Sequence, residues 1–225
     1  MNLLAGDLVN KVSSINTVIE GVKSIVVQFK TSELKMGKLI NEWDKYIKDE
    51  ASKGNKVTRI LLDIPGSTRW YGVTDMLFKF LRSKQILMKI IVDGEILQEF
   101  REQILSDTFW AKVEVVYKLM NPISKGIAIL ESDKSVISDV AVVFSKIDQN
   151  LDFSVLENEP EQVLAKRLIS DRMDGNFISE AHYLALLLDP RYENIKYKCG
   201  KVKGQTPLTY FVPHAPPIFS SLSCT

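Results

Sequence analysis

Apolar residues recur along the first thirty positions at alternating steps of four and three: Leu8, Val12, Ile15, Ile19, Val22, Val26 and Phe29. That spacing is the stripe of an amphipathic helix. Flanking Val9, Val18 and Ile25 widen it beyond a coiled-coil seam and predict packing into a globular core. Gly21 weakens the middle modestly. A second helix follows Thr31-Ser32, either of which serves as its cap. Its inner face is Met36, Leu39, Ile40, Trp43 and Ile47. Residues 51–56 read as a polar loop. Val57 to Ile64 is short, β-branched and apolar and is stopped by Pro65-Gly66, which predicts a strand.

Beyond it the pattern is almost wholly helical. Tyr71 to Ser83 carries Val73, Leu77, Phe80 and Leu81. Asp107 caps a helix with Trp110, Val113, Val116, Tyr117 and Met120 inside, and Pro122 opens the next one, to about Leu130. Ser132 or Asp133 caps a helix whose inner positions are Val136, Val140, Val143, Phe144 and Ile147. Asp148 to Glu159 reads as an acidic loop. Helices follow over Glu161–Ser170 and Ser179–Leu188, and Asp189-Pro190 supplies a cap and a first-turn proline for a further short one. From Lys196 the helical pattern stops. The last thirty residues hold four of the eight prolines and both cysteines.

With 225 residues and 45% hydrophobic content, the chain has material for one or two domains with a sizeable core. The net charge of +1 gives no global electrostatic case for nucleic acid, so any contact with DNA must come from a local patch. Cys199 and Cys224 make no disulfide framework, which points to a reducing, intracellular setting, nucleus or cytoplasm. No apolar run approaches a membrane span. Cys199, His214 and Cys224 match no compact zinc motif, and His182 sits alone on an apolar helix. There is no phosphate-binding glycine loop. No metal site and no small-molecule substrate are assigned.

Three spaced strings carry a family likeness: Ser67-Thr68-Arg69-Trp70; Leu130-Glu131-Ser132-Asp133 with Ser138-Asp139-Val140; and Leu187-Leu188-Asp189-Pro190-Arg191-Tyr192. In this order the chain resembles hAT-superfamily transposases, and Asn2-Leu3-Leu4-Ala5-Gly6-Asp7-Leu8 fits the same family. The resemblance covers about residues 1 to 195. It implies a mainly α chain: a helical insertion domain attached to a partial ribonuclease H-like α/β remnant. Residues 1–65 would be the remnant, 66–195 the insertion domain, and 196–225 an irregular tail foreign to the family, like translation across an unrelated exon or a frameshift.

The parent activity so implied is DNA transposition, with strand cleavage by three acidic residues and divalent metal, magnesium being the natural ion. By that mapping all three acidic residues lie outside this chain. No catalytic residue or cofactor is therefore assigned, and the expected state is catalytically inactive. Asp63, at the end of the predicted strand, is the one acidic residue placed like a metal ligand; the plainer reading makes it a strand end and turn cap.

The resemblance puts Arg69 and Trp70 beside the family's active site, where the tryptophan stacks in the gap left by a flipped base and the arginine holds a phosphate. The plainer alternative has Trp70 opening a helix and packing in the core. Lys79 and Arg82, three apart on one helix face, extend the candidate DNA-binding set, with Lys84 and Lys89 nearby. The two other string groups read as helix punctuation and an ion pair. DNA is thus the expected partner. An alternative is a domesticated helical DNA- or protein-interaction module, or a relic; the stripe from Leu8 to Phe29, stripped of its sheet, would then be an exposed patch that drives self-association.

Overall fold

The stripe from Leu8 to Phe29 forms two helices, α1 (Asn2–Lys11) and α2 (Ser13–Lys30), which meet at Val12. Val12 adopts an extended conformation (φ −97°, ψ 103°), yet its N–H still reaches Leu8 O at 3.0 Å. Nothing on Val12 itself can cap α2. The cap comes from far along the chain instead: Glu161 accepts the Ser14 N–H at 3.1 Å and the Ser14 hydroxyl. The break leaves the stripe in phase, and all seven of its residues are buried.

The computed structural model describes residues 2–66, 70–93, 98–174 and 178–192. After α2 come α3 (Glu33–Ser52), α4 (Trp70–Arg82), α5 (Lys84–Asp93), α6 (Arg101–Leu105), α7 (Asp107–Leu130), α8 (Ile137–Asn150), α9 (Glu159–Asp174) and α10 (Glu180–Leu188). Three 3₁₀ turns lie at Gln98–Phe100, Phe153–Val155 and Pro190–Tyr192. The chain is mainly helical. None of the described helices is long and apolar enough to cross a membrane.

The centre of the fold is α2 against α4 and α7, with α1, α3, α5 and α9 around it. Phe80 of α4 stacks on Trp110 of α7 at 4.8 Å between ring centres, and Phe109 meets Phe80 edge-on at 6.1 Å. Two buried hydroxyls, Thr74 and Ser124, satisfy each other at 2.5 Å. The pairs 80 with 110 and 74 with 124 run in opposite senses, so α4 and α7 are antiparallel. This core draws on both sides of residue 65. The stripe expected to lie bare without a sheet is covered by helices, so it is not an exposed patch.

Four local expectations are corrected. Residues 57–66 form no strand, and the described part of residues 2–66 is three helices and irregular chain, with no α/β character. A strand needs a neighbour for its ladder, and none exists among the described residues. Instead Leu62 anchors the segment by inserting fully into the helical core, with Leu61 and Ile64 outside. Close packing on α4 depends on Gly72, where a Cβ would stand 3.1 Å from the Cβ of Pro65. Pro122 does not start a helix but sits inside α7. The apolar face continues through it from Met120 to Ile123 and Ile127, all buried, and that burial offsets the roughly 3 kcal/mol penalty of an internal proline. Ser106, not Asp107, caps α7, accepting the Phe109 N–H at 3.3 Å. Neither Ser132 nor Asp133 caps α8, which begins at Ile137; Asp139 reaches back to accept the Val136 N–H at 2.9 Å.

Val136, expected inside, is exposed at the start of α8, and the expected loop over 148–159 holds the last turn of α8, a 3₁₀ turn and the first residue of α9, which runs to Asp174. Ser32 caps α3, and Leu39 and Trp43 line its buried face. The short helix at Asp189-Pro190 is the 3₁₀ turn Pro190–Tyr192, whose cap is Asp189 accepting the Arg191 N–H at 3.0 Å.

Candidate nucleic-acid interface

Trp70 is the first residue of α4 and half-buried. Its indole lies over Gly6 of α1, where an added Cβ would come within 3.3 Å of the ring. It therefore packs against the main core as a helix-opening residue. Arg69, its neighbour in the candidate set, lies outside the described residues.

Lys79, part-exposed, pairs with two carboxylates, Asp75 at 2.8 Å and Asp63 at 2.9 Å. The bond to Asp75, then that to Asp63, raises its pKa. Asp63 is also gripped by Lys30 at 2.8 Å, and the two ammonium groups hold its carboxyl below the usual range. Each oxygen of Asp63 is thus taken by a lysine, and the second carboxylate nearby, Asp75, is joined to it through Lys79. These residues do not fit a divalent metal, which needs carboxylate oxygens free to converge on it. Among the described residues no three His, Cys, Asp or Glu side chains gather as metal ligands. His182 serves α10 locally: its Nδ1 accepts the Ser179 N–H at 3.0 Å. Cys199, His214 and Cys224 lie outside the described residues.

Arg82 differs from Lys79. It is exposed and has no ion pair among the described residues. It lines a cleft of about 500 Å³ between α4 and α7, with Phe78, Lys84, Trp110, Glu114, Tyr117 and Lys118 also in the wall. Phe78 and Tyr117 face each other at 5.9 Å, ring planes tilted by 34°. Lys84 lies 5.6 Å above the Trp110 ring and 3.2 Å from Asp107. Lys118 pairs with Glu114 at 2.7 Å. Both carboxylates of the cleft are thereby matched to lysines, and Arg82 is the cation left over. Lys89, the last of the basic cluster, is tied to Glu42 at 3.0 Å. The structure thus separates the two residues expected to share a face: Lys79 belongs to a part-exposed network of paired charges and Arg82 to an open cleft.

The sequence reading did not single out Phe78 or Lys118, and it placed Tyr117 inside, whereas the ring is half-buried in the cleft wall. A signal was available, because Tyr71, Phe78 and Arg82 fall on one phase of α4, off the buried phase of Val73, Leu77 and Phe80.

The remaining strings meet at a second polar site. Asp139 of α8, almost fully buried, accepts from Tyr192 Oη at 2.6 Å, from Arg191 at 3.0 Å and from the Val136 N–H. Asp189 accepts from Arg191 at 2.7 Å and from Ser138 Oγ at 2.5 Å. The Arg191 guanidinium, followed by the Ser138 hydroxyl, holds the Asp189 carboxyl far below the ordinary range. Burial, reinforced by the bond to Asp139, pushes the Tyr192 phenol well up. Ser138-Asp139 and Asp189-Pro190-Arg191-Tyr192, about fifty residues apart in sequence, form one clamp joining the start of α8 to the end of α10.

The fold and these sites define a helical protein with an open aromatic and basic cleft. No protein-family model, curated protein or solved structure matches the chain.

Proposed function

We propose that this chain is a helical DNA-contacting unit of hAT-transposase descent. Two of the strings on which the resemblance rests converge on the α8–α10 clamp, which supports treating them as parts of one unit. DNA contact rests on one observation above the others: Arg82 is an exposed cation without an ion pair among the described residues, set beside the exposed Phe78 ring and the half-buried Tyr117 ring. The reading assigns no residue of this chain to strand cleavage or metal binding.

The test is anisotropy of labelled hairpin, branched and duplex DNA across a salt series, with wild type, Trp70→Ala and Arg82→Gln. Affinity that falls with salt, and a salt slope reduced by about one in Arg82→Gln, is the expected result. Trp70→Ala lowers stability more than affinity, because the ring packs on Gly6. Absence of binding at low salt overturns the reading.

A second reading, a protein-interaction module that self-associates, is favoured by α10. Leu184, Leu187 and Leu188 are exposed at helical spacing, and Val136 and Ile137 are exposed at the start of α8. Sedimentation velocity of wild type and Leu184→Lys/Leu188→Lys distinguishes it: a dimer abolished by the double variant supports it, and a monomer across the concentration range removes it.

A further inference from the structure

We infer that the outer face shared by α4 and α7 is a stacking platform for unpaired bases of single-stranded DNA. This rests on the DNA-contact reading and specifies the form of DNA and the residues that meet it.

Two rows of side chains carry the inference. On α4, Tyr71 and Phe78 are seven residues apart and both largely exposed, at 58% and 43%. Seven residues are two helical turns, so the rings share a phase and lie about 10 Å apart along the axis. On α7, Lys118, which pairs with Glu114, and Lys125, which has no ion pair among the described residues, are also seven apart and exposed. Because the helices are antiparallel neighbours, the aromatic row and the cationic row run side by side with the same repeat. Tyr117 widens the platform by facing Phe78 at 5.9 Å. Arg82 closes one end.

The charges select the occupant. The acidic groups on this face are Asp75, Asp107 and Glu114, each held by a lysine: Lys79, Lys84 and Lys118 respectively. Arg82 and Lys125 have no ion pair among the described residues, so the face presents an excess of positive charge to a ligand. An aromatic ring stacks on any base whose face is free, while cations beside it follow the phosphates. In a duplex the base faces are already covered, and only the cationic row would be used. A proline-rich peptide would also suit aromatic rings, but it has no use for the unpaired cations.

The experiment uses the full chain with fluorescein-labelled dT15 and a matched 15-base-pair duplex, read by anisotropy. Variants are Phe78→Ala, Tyr71→Ala and Arg82→Gln, each checked by circular dichroism. Phe78→Ala is expected to weaken dT15 binding about tenfold and Tyr71→Ala severalfold, with duplex affinity unchanged. Arg82→Gln is expected to weaken both and to flatten the salt dependence. Wild type that binds DNA while Phe78→Ala leaves dT15 affinity intact overturns the platform and spares the DNA-contact reading. Wild type that binds neither DNA overturns both. A proline-rich peptide bound in a Phe78-dependent manner, without dT15 binding, overturns the platform in favour of a protein partner.

Discussion

The large core among α1, α2, α4 and α7 and the small cluster between α8 and α10 use the same kinds of apolar residue, yet they close differently. In the large core, ring stacking and a continuous stripe exclude water, and its buried side-chain polar atoms are few: Thr74 and Ser124 bond each other, Trp110 bonds the Ile104 carbonyl, and the Trp43 indole nitrogen is left without a partner. Among the described residues the small cluster has six buried members, among them Phe144, Ile178 and Leu186. Burial at about 25 cal/mol per Å² cannot do as much there. What joins its two helices is the clamp of Ser138, Asp139, Asp189, Arg191 and Tyr192. One region is held by area and the other by a few directional bonds, so they should fail under different insults.

The largest expected effect is in the large core. Phe80→Ala removes a ring that is fully buried and stacked on Trp110, and should cost about 3–5 kcal/mol in urea denaturation followed by tryptophan fluorescence. A loss below about 1 kcal/mol would mean the core is not close-packed and would break the contrast. Next comes the clamp. Asp139→Ala strands three donors and should cost about 2 kcal/mol. The loss should be local: amide exchange in α10 rises while α4 and α7 keep their protection. Equal loss of protection in both regions would show that the clusters melt as one.

Titration sharpens the same contrast. The folded pKa of Asp189 is depressed, so the unfolded chain binds the proton more readily and stability rises with pH in this range. The clamp's contribution is complete above the unfolded carboxylate value near about 4 and fades as pH falls toward the folded one. Tyr192 acts in the opposite sense. Its folded pKa is raised, so its contribution is complete below about pH 10 and is lost as pH climbs through the folded value. Exchange of α10 amides should therefore increase at both extremes before that of α7. Protection that falls first in α7 would contradict it. The smallest effect is at Asp63, which is half-exposed between Lys30 and Lys79. Asp63→Asn should change stability by less than about 1 kcal/mol. A shift of several kcal/mol would require a role beyond surface pairing.

Much of this was legible along the chain. The buried phase of α1 and α2, the inner face of α3, and the Asp189-Pro190 turn all follow from spacing and cap chemistry. The continuation of α7 was legible too, since Met120, Ile123 and Ile127 keep the period across Pro122. The segment 57–64 misled because β-branched, apolar composition describes burial as well as a strand, and here burial of Leu62 among helices is what it served. The candidate site was legible only in part. Lys79 and Arg82 look alike in sequence, but one meets Asp63 and Asp75 and the other meets solvent.

The sequence by itself determined which faces are apolar, the ends of α4 and α10, the start of α3, and that the chain is mainly helical, because those properties depend on neighbours within four residues. Tertiary structure alone decided that Glu161 caps α2 at Ser14, that Asp139 and Arg191 belong to one clamp, and that Lys79 is neutralised while Arg82 is not. Each of these depends on a partner from a distant part of the chain. Charge pairing and long-range capping act through space over a few ångströms, and the pattern along the chain carries no record of which distant carboxylate arrives.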